Sequence, residues 1–306
     1  MSQVDLAALN KQFGISGQLK FREGPGGLAV AKVSNSYGTA TIALQGAHVM
    51  TWALRKQRSV LWLSKFAKFA PGKSIRGGVP ICWPWFGLHA SEAKFPGHGF
   101  ARTVMWEVVA TERLRDDSTR LTFRLVQDDV TRAQWPHACE ALAFITVGPS
   151  LVIDLVTRNT GSATMTVGDA FHTYFDVSDI RQCRIHGLGG LPYLDKVDGG
   201  KKKQQSGAVT IGEEVDRIYL DSAADVLIDD PGFRRRIRIA KHGSRSSVVW
   251  NPWSEKAAKM GDFGPDGYLN MVCVESANAD IDVVQVPAGG EHRLRVRYSV
   301  EPLAGC

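Results

Sequence analysis

The sequence lacks the paired cysteines of a disulfide framework or of a zinc site. Its five cysteines, Cys82, Cys139, Cys183, Cys273 and Cys306, are odd in number and scattered through 306 residues without a CxxC pair. Isolated thiols of this kind are typical of proteins in a reducing compartment, so we expect a cytoplasmic protein. The sequence also has no HExxH or EF-hand pattern, and we expect neither a metal nor an organic cofactor.

Long apolar runs are absent as well. No stretch approaches the roughly 18 apolar residues of a membrane span, and the start MSQVDLAALNKQF lacks a basic segment followed by an apolar one. We therefore expect no export and no membrane partner. The 37 basic and 31 acidic residues give a formal charge of +6, which is compatible with a small anionic ligand. Because no nucleic-acid module accompanies the arginine-rich stretch 234–238, we expect no nucleic-acid partner.

Helical periodicity is scarce. Only residues 3–13 and 254–260 have helix signals, with Ser254 as a candidate cap for the second. Short turn sequences separate segments rich in Val, Ile, Thr and aromatic residues, which favours antiparallel hairpins over βαβ units. The segments are 27–35, 38–54, 104–114, 118–127, 141–148, 150–160 and 163–177. The pattern predicts an all-β protein, a large antiparallel β-sandwich with few short helices, in which residues 1–306 form a single domain.

Two loop-like segments combine glycine, proline, aromatic residues and arginine. SIRGGVPICWPWFG (74–87) contains Arg76 and Trp83, and its composition is unsuited to strands and helices alike. Its aromatic residues either plug the end of the sandwich or form an apolar wall for a small ligand, with Arg76 as a charged contact. PGHGFAR (96–102) places His98 between glycines, where backbone can approach a ligand closely, and adds Arg102.

Two ionisable residues lie in strand-like runs. His172 in AFHTYFDV and Glu275 in MVCVESAN have bulky neighbours, among which a buried ionisable group needs a partner. Strict alternation puts Glu275 on the same face as Cys273 and opposite to Val272 and Val274. If His172 and Glu275 share one cleft, they form an acid/base pair. If they do not, Glu275 is a solvent-facing residue of an edge strand.

Five motifs in order resemble the aldose 1-epimerase superfamily and, within it, the glucose-6-phosphate 1-epimerase or hexose-6-phosphate mutarotase branch. They are SIRGGVPICWPWFG, PGHGFAR, FHTYFDV, EEVDRIYLD (213–221) and NPWSEKAAKMGDFGPDGYLNMVCVESAN (251–278). The resemblance runs from about residue 28 to 302. It implies a galactose-mutarotase-like β-supersandwich that interconverts the α and β anomers of glucose 6-phosphate, with His172 as general acid and Glu275 as general base.

The resemblance also implies how the substrate is held. His98 and Asp216 would bind the sugar ring and its hydroxyls, Arg76 and Arg102 would bind the phosphate, and Trp83 would line the sugar pocket. Paired guanidinium groups suit a phosphate dianion, which they bind through bidentate hydrogen bonds. We therefore expect a small-molecule sugar phosphate as the ligand of a monomeric protein.

Two other functions stay open. The first is a mutarotase of unphosphorylated aldoses, with the same acid/base pair and no anion site. The second is a non-catalytic sugar-binding domain. The presence of both His172 and Glu275 argues against the second function, because binding alone needs no matched proton donor and acceptor.

Overall fold

A computed structural model describes residues 4–303, so Cys306 and the first residue of the predicted helix 3–13 lie outside the described residues. The helices are α1 (Leu6–Phe13), α2 (Asp129–Gln134) and α3 (Trp253–Lys259), with 3₁₀ turns at Pro25–Gly27, Gly267–Asn270 and Asp280–Asp282. Within 4–303, no helix is long and apolar enough to cross a membrane.

Strands are the main regular element of the described chain. The strands are β1 (Leu19–Glu23), β2 (Ala29–Ser34), β3 (Gly38–Ala43), β4 (His48–Leu54), β5 (Ile81–Cys82), β6 (Trp106–Arg113), β7 (Thr119–Leu125), β8 (Cys139–Val147), β9 (Leu151–Asn159), β10 (Met165–Val167), β11 (Ala170–Phe171), β12 (Tyr174–Asp176), β13 (Arg184–His186), β14 (Pro192–Asp195), β15 (Lys201–Gln204), β16 (Val215–Tyr219), β17 (Val226–Asp230), β18 (Arg235–His242), β19 (Ser246–Asn251), β20 (Met271–Ala277), β21 (Val284–Val286) and β22 (Glu291–Pro302).

Two eight-stranded sheets dominate the fold, and their paired strands are antiparallel. The first, here called the site sheet, has the order β15-β14-β16-β19-β20-β11-β5, with β12 also paired to β20. The second, the outer sheet, has the order β13-β17-β18-β22-β9-β8-β7-β6. A four-stranded sheet of β1 to β4 and the pair β10-β21 complete the fold. The predicted large antiparallel β-sandwich with few short helices is confirmed; the single-domain boundary 1–306 stays a prediction.

The two large sheets meet through a buried aromatic contact. Phe175 of β12 and Tyr298 of β22 are both fully buried, with ring centroids 5.2 Å apart and planes at 84°. The hydroxyl of Tyr298 also hydrogen-bonds the hydroxyl of Thr173, which lies between β11 and β12. Burying a large apolar side chain stabilises a fold by roughly 1.5–3 kcal/mol. This contact therefore holds the β11-β12 region of the site sheet against the outer sheet.

The strand predictions locate most hairpins but miss their interruptions. The run 38–54 splits into β3 and β4 at a turn where Ala47 has φ +44°, and the run 163–177 splits into β10, β11 and β12. The predicted second helix forms as α3, but Ser254 lies inside it, so the prediction that Ser254 caps it is wrong. Pro252 occupies the cap position and provides no side-chain hydrogen bond.

Segment 74–87 is irregular, as predicted, except for the short strand β5, and two adjacent glycines shape its start. Gly77 and Gly78 have φ values of +116° and +64°. A Cβ at Gly78 would lie 2.3 Å from the carbonyl oxygen of Val49 and 2.7 Å from Nε2 of His48. Only glycine fits this close approach to β4, and the approach fixes the backbone next to Arg76.

We expect Gly78→Ala to lower the free energy of unfolding by about 2–4 kcal/mol, because the new methyl group clashes with backbone and the left-handed conformation adds strain. Gly72→Ala is a matched control: Gly72 has φ +74° and no atom within 4 Å of its Cβ position, so about 1–2 kcal/mol of strain remains. Urea unfolding of both variants checks this. Equal losses in both would contradict the steric explanation.

Candidate active site

Strand register places His172 directly opposite Glu275. In the β11-β20 pair Phe171 faces Ser276, and in the β12-β20 pair Tyr174 faces Cys273. The register is the same on both sides of the short interruption at 172–173, so His172 falls opposite Glu275. Directly opposed residues of an antiparallel pair have their Cβ atoms about 4.5–5.5 Å apart on one face of the sheet. β20 is paired on both sides, so Glu275 does not lie on an edge strand.

The pair lies in a buried, desolvated environment. Nδ1 of His172 is 3.4 Å from Oε1 of Glu275, and the two residues are 8% and 2% exposed. His172 Nδ1 and Glu275 Oε2 are buried without a hydrogen-bond partner. Burial, with His98, Arg102 and Arg76 nearby, lowers the pKa of His172 well below its usual range. Burial and Asp216 raise the pKa of Glu275 well above its usual range, against an opposing effect of Arg102.

These pKa shifts favour a neutral imidazole and a protonated carboxyl in the ligand-free site. If the carboxyl proton moves to the imidazole, the pair becomes an imidazolium beside a carboxylate. The total number of protons on the pair is the same in both states. A one-proton pair of this kind can give a proton at one atom and accept one at another, as an acid/base catalyst must.

The pair opens into a cavity of about 670 Å³ on one face of the site sheet. Six predicted site residues line it: Arg76, His98, Arg102, His172, Asp216 and Glu275. They come from five separate segments of the sequence, and the structure brings all six together. Their roles toward a substrate stay predictions.

Trp83 does not line this cavity, and the expectation that it contacts the sugar is corrected. Its side chain is fully buried in the core, where the indole N–H donates to Oγ1 of Thr157 at 3.0 Å. Its ring packs edge-on against Phe100 and Trp135. Of the aromatic residues in segment 74–87, Phe86 lines the cavity instead.

Arg76 is held by two partners that the sequence did not indicate. Its Nε donates to Oδ1 of Asp262 at 3.2 Å, and its Nη1 donates to the hydroxyl of Tyr174 at 3.0 Å. Burial opposes the charge of Arg76, but Tyr174 and Asp262 outweigh it and raise the pKa of the guanidinium. Arg76 therefore stays charged at the cavity wall.

Arg102 and His98 are set by the loop that contains both. Nη2 of Arg102 donates to the carbonyl of Gly97 at 2.8 Å. His98 has φ +66°, its backbone N–H donates to the carbonyl of Gly87, and its Nδ1 accepts from the N–H of Gly87 at 3.3 Å. Because Nδ1 accepts, we assign the proton of neutral His98 to Nε2, which leaves a donor for a ligand.

Two lysines, Lys196 and Lys256, line the cavity together with Asp216. Burial raises the pKa of Asp216, and the charges of Lys256 and Lys196 oppose that rise. Both lysines line the cavity, and Lys256 also donates to Glu214 at 2.7 Å. Neither lysine was predicted: Lys196 lies outside the five motifs, in the loop between β14 and β15, and Lys256 lies within the fifth motif, in α3, where nothing in the sequence distinguishes it from a solvent-facing lysine.

One group of side chains has the atom types of a metal site. Ligand atoms of His172, Cys273 and Glu275 lie within 4.8 Å of one another. Burial raises the pKa of the Cys273 thiol well above its usual range, which disfavours the thiolate that a metal requires. A metal here would also occupy the atoms of the proton-transfer pair. The set therefore fits a metal poorly, and catalysis without a metal stays our prediction.

A second cavity, of about 740 Å³, is larger but chemically poorer. Trp62, Phe66 and Phe263 form its apolar walls. Of the two aspartates that line it, Asp176 is paired with Arg58 at 2.9 Å. Because it holds no acid/base pair, we place the candidate site in the smaller cavity.

The fold and the acid/base cavity define a galactose-mutarotase-like protein. A crystal structure described as a "putative mutarotase (YeaD)" from Salmonella typhimurium superimposes with a TM-score of 0.87 at 34% identity, over 95% of this chain and 96% of that one. A galactose mutarotase-like protein from Lactobacillus casei shares the fold at 17% identity, with a TM-score of 0.69 over 89% of this chain and all of that one.

The chain belongs to the aldose 1-epimerase family, whose model matches residues 30–299, and it is an enzyme of the isomerase class. Several relatives bear the name "Putative glucose-6-phosphate 1-epimerase". The one from Escherichia coli K12 is 39% identical over 241 residues, covering 78% of this chain and 80% of its own length. The one from Cenchrus ciliaris is 35% identical over 278 residues, covering 87% and 83%.

We expect His98 to stay neutral from pH 5 to 9, because burial and the charges of Arg102 and Arg76 lower its pKa to about 3. The unfolded chain takes up this proton near pH 6.5, so stability contributed by neutral His98 is lost as pH falls from 6.5 toward 3. NMR titration, with His98→Gln to assign the signal, checks the pKa. The variant should also lose less unfolding free energy between pH 7 and pH 5 than the wild type. A midpoint near 6.5 would contradict this.

Proposed function

We propose that the protein is a hexose-6-phosphate mutarotase that interconverts the α and β anomers of glucose 6-phosphate. The observation that carries the proposal is the buried pair of His172 and Glu275, 3.4 Å apart, in the same cavity as Arg76 and Arg102. The pair suits anomerisation, and the two guanidinium groups suit a phosphate. The names of the relatives support the same substrate.

The chemistry needs two proton transfers and no electron transfer. Glu275 as carboxylate takes the proton of the C1 hydroxyl while His172 as imidazolium gives one to the ring oxygen. The bond between C1 and the ring oxygen breaks, and an open-chain aldehyde forms. Rotation about the C1–C2 bond presents the other face of the carbonyl. Reversal of both transfers closes the ring to the other anomer and restores the pair.

The remaining cavity residues suit a sugar phosphate. Asp216 and His98 provide a carboxylate and a ring N–H for sugar hydroxyls. Arg76 and Arg102 provide donors for the phosphate. Because Arg76 is joined through Tyr174 to the side of the cavity next to His172, the phosphate would lie toward the ring oxygen. This arrangement agrees with chemistry, since C6 is attached to the carbon that bears the ring oxygen.

Anomerisation rates of α-glucose 6-phosphate and α-glucose, measured side by side by polarimetry or NMR, test the proposal. We expect the phosphorylated sugar to be preferred. A preference for glucose would favour a mutarotase of unphosphorylated aldoses, and binding of both sugars without turnover would favour a non-catalytic domain.

His172→Asn and Glu275→Gln should each lower kcat by roughly a hundredfold or more, since general acid–base catalysis contributes about 10² to 10⁴. His186→Asn and Glu140→Gln change the same residue types on the outer sheet, at positions that do not line the cavity, and serve as controls. Circular dichroism and steady-state kinetics on the four variants check this. Near-normal kcat in a folded His172 or Glu275 variant would remove that residue from the mechanism.

Arg76→Ala and Arg102→Ala should each lower kcat/KM for glucose 6-phosphate by roughly ten- to a hundredfold, because a hydrogen bond to a charged group contributes about 1.5–3 kcal/mol. The residual kcat/KM for glucose should change much less, because a neutral sugar does not use this contact. Arg297→Ala removes the same charge on the outer sheet as a control. Equal losses on both sugars would make the arginines supports of the loops and not phosphate ligands.

A further inference from the structure

A continuous set of contacts joins Arg76 to His172 through Tyr174. The Tyr174 hydroxyl accepts a hydrogen bond from Arg76 at 3.0 Å. The Tyr174 ring lies parallel to the His172 ring, with an interplanar angle of 10° and centroids 4.9 Å apart. One side chain thus touches both the arginine proposed to bind the anion and one member of the proton-transfer pair.

Tyr174 has little freedom to move. Its other ring face stacks on Trp62 at 5.8 Å, and the edge of Trp250 packs against it at 6.1 Å. It is 2% exposed, and β12 pairs it with Cys273 of β20. Because the ring is a rigid unit packed against these neighbours, a displacement of its hydroxyl would also tilt the ring face that supports His172.

Arg76 is tied on its other side to a loop. Asp262, its second partner, lies next to Phe263, whose ring packs against Trp62 and Trp250. An anion bound to Arg76 would compete with Asp262 and Tyr174 for the guanidinium protons. An anion at Arg76 would therefore weaken the hydrogen bond that Arg76 donates to the Tyr174 hydroxyl.

The charges around His172 also make its protonation depend on whether an anion is bound. Without an anion, burial and the charges of Arg102 and Arg76 disfavour the imidazolium, and His98, which packs against the His172 ring, is neutral. Glu275, 3.4 Å away, favours the imidazolium only when it is ionised, and the Tyr174 ring is neutral because burial raises the pKa of its phenol. A phosphate dianion between the two arginines would offset their charge and return the proton to His172.

We propose that Tyr174 is a positioning residue that couples anion binding at Arg76 to His172, so that the phosphate of the substrate raises turnover and not only affinity. The inference rests on the proposed function. It predicts that a dianion need not be covalently attached to the sugar to accelerate the reaction.

The test supplies the substrate in two pieces, as glucose and inorganic phosphate. Phosphate should raise kcat/KM for glucose by about tenfold or more. Because phosphate itself catalyses mutarotation as a general base, enzyme-free rates at each concentration are subtracted, and Glu275→Gln serves as the protein blank. Sulfate, a dianion with almost no basicity at neutral pH, should also activate.

Tyr174→Phe keeps the ring stack and removes the hydrogen bond to Arg76. We expect the activation ratio, with and without phosphate, to fall below about threefold in this variant, and kcat for glucose 6-phosphate to fall more than KM rises. Tyr193→Phe is the matched control: Tyr193 is a buried tyrosine of the same sheet, packed on Tyr219 and absent from the cavity wall, and its variant should keep the wild-type ratio.

Each outcome decides the inference. If the wild type turns over glucose 6-phosphate but phosphate and sulfate leave glucose turnover unchanged or only inhibit it, the dianion contributes binding alone and the coupling is wrong. If Tyr174→Phe keeps the full ratio, the coupling does not pass through Tyr174. Absence of turnover on every sugar would instead overturn the proposed function.

Discussion

The pairing of β20 with β11 and β12 is the constraint on which the site depends. It sets His172 opposite Glu275 and, two pairs along, Tyr174 opposite Cys273, all on one face of the site sheet. The outer sheet holds this region in place through Phe175. Because the backbone ladder and the core fix these positions before any ligand arrives, the two groups need little rearrangement to act together.

The site combines cationic groups with a proton-transfer pair that is kept out of water. Arg76 and Arg102 lie close enough to His172 to oppose its protonation, and Asp216 opposes ionisation of Glu275. Neither charge would have a large effect in bulk water, where the dielectric constant is about 80. Because the pair is buried, its protonation state depends on the charge of the ligand in the cavity.

Period-two alternation was sufficient to predict the fold class and to place Glu275 beside Cys273, because side-chain direction in a strand follows from sequence position alone. It could not give the cross-strand register, which depends on distant segments, so Tyr174 and Asp262 were missed as partners of Arg76. Trp83 was misplaced for a related reason: a composition rich in aromatic residues suits a pocket wall and a packed core equally well, and only the fold decides between them.

The interruption at 172–173 restricts insertions and deletions in this part of the sequence. The register on both sides of it is the same, so the chain between Phe171 and Tyr174 has a fixed length measured against β20. An inserted or deleted residue there would turn every following side chain of β12 to the opposite face. Substitutions in this stretch alter one contact at a time, whereas a change of chain length would dismantle the site while leaving its composition intact.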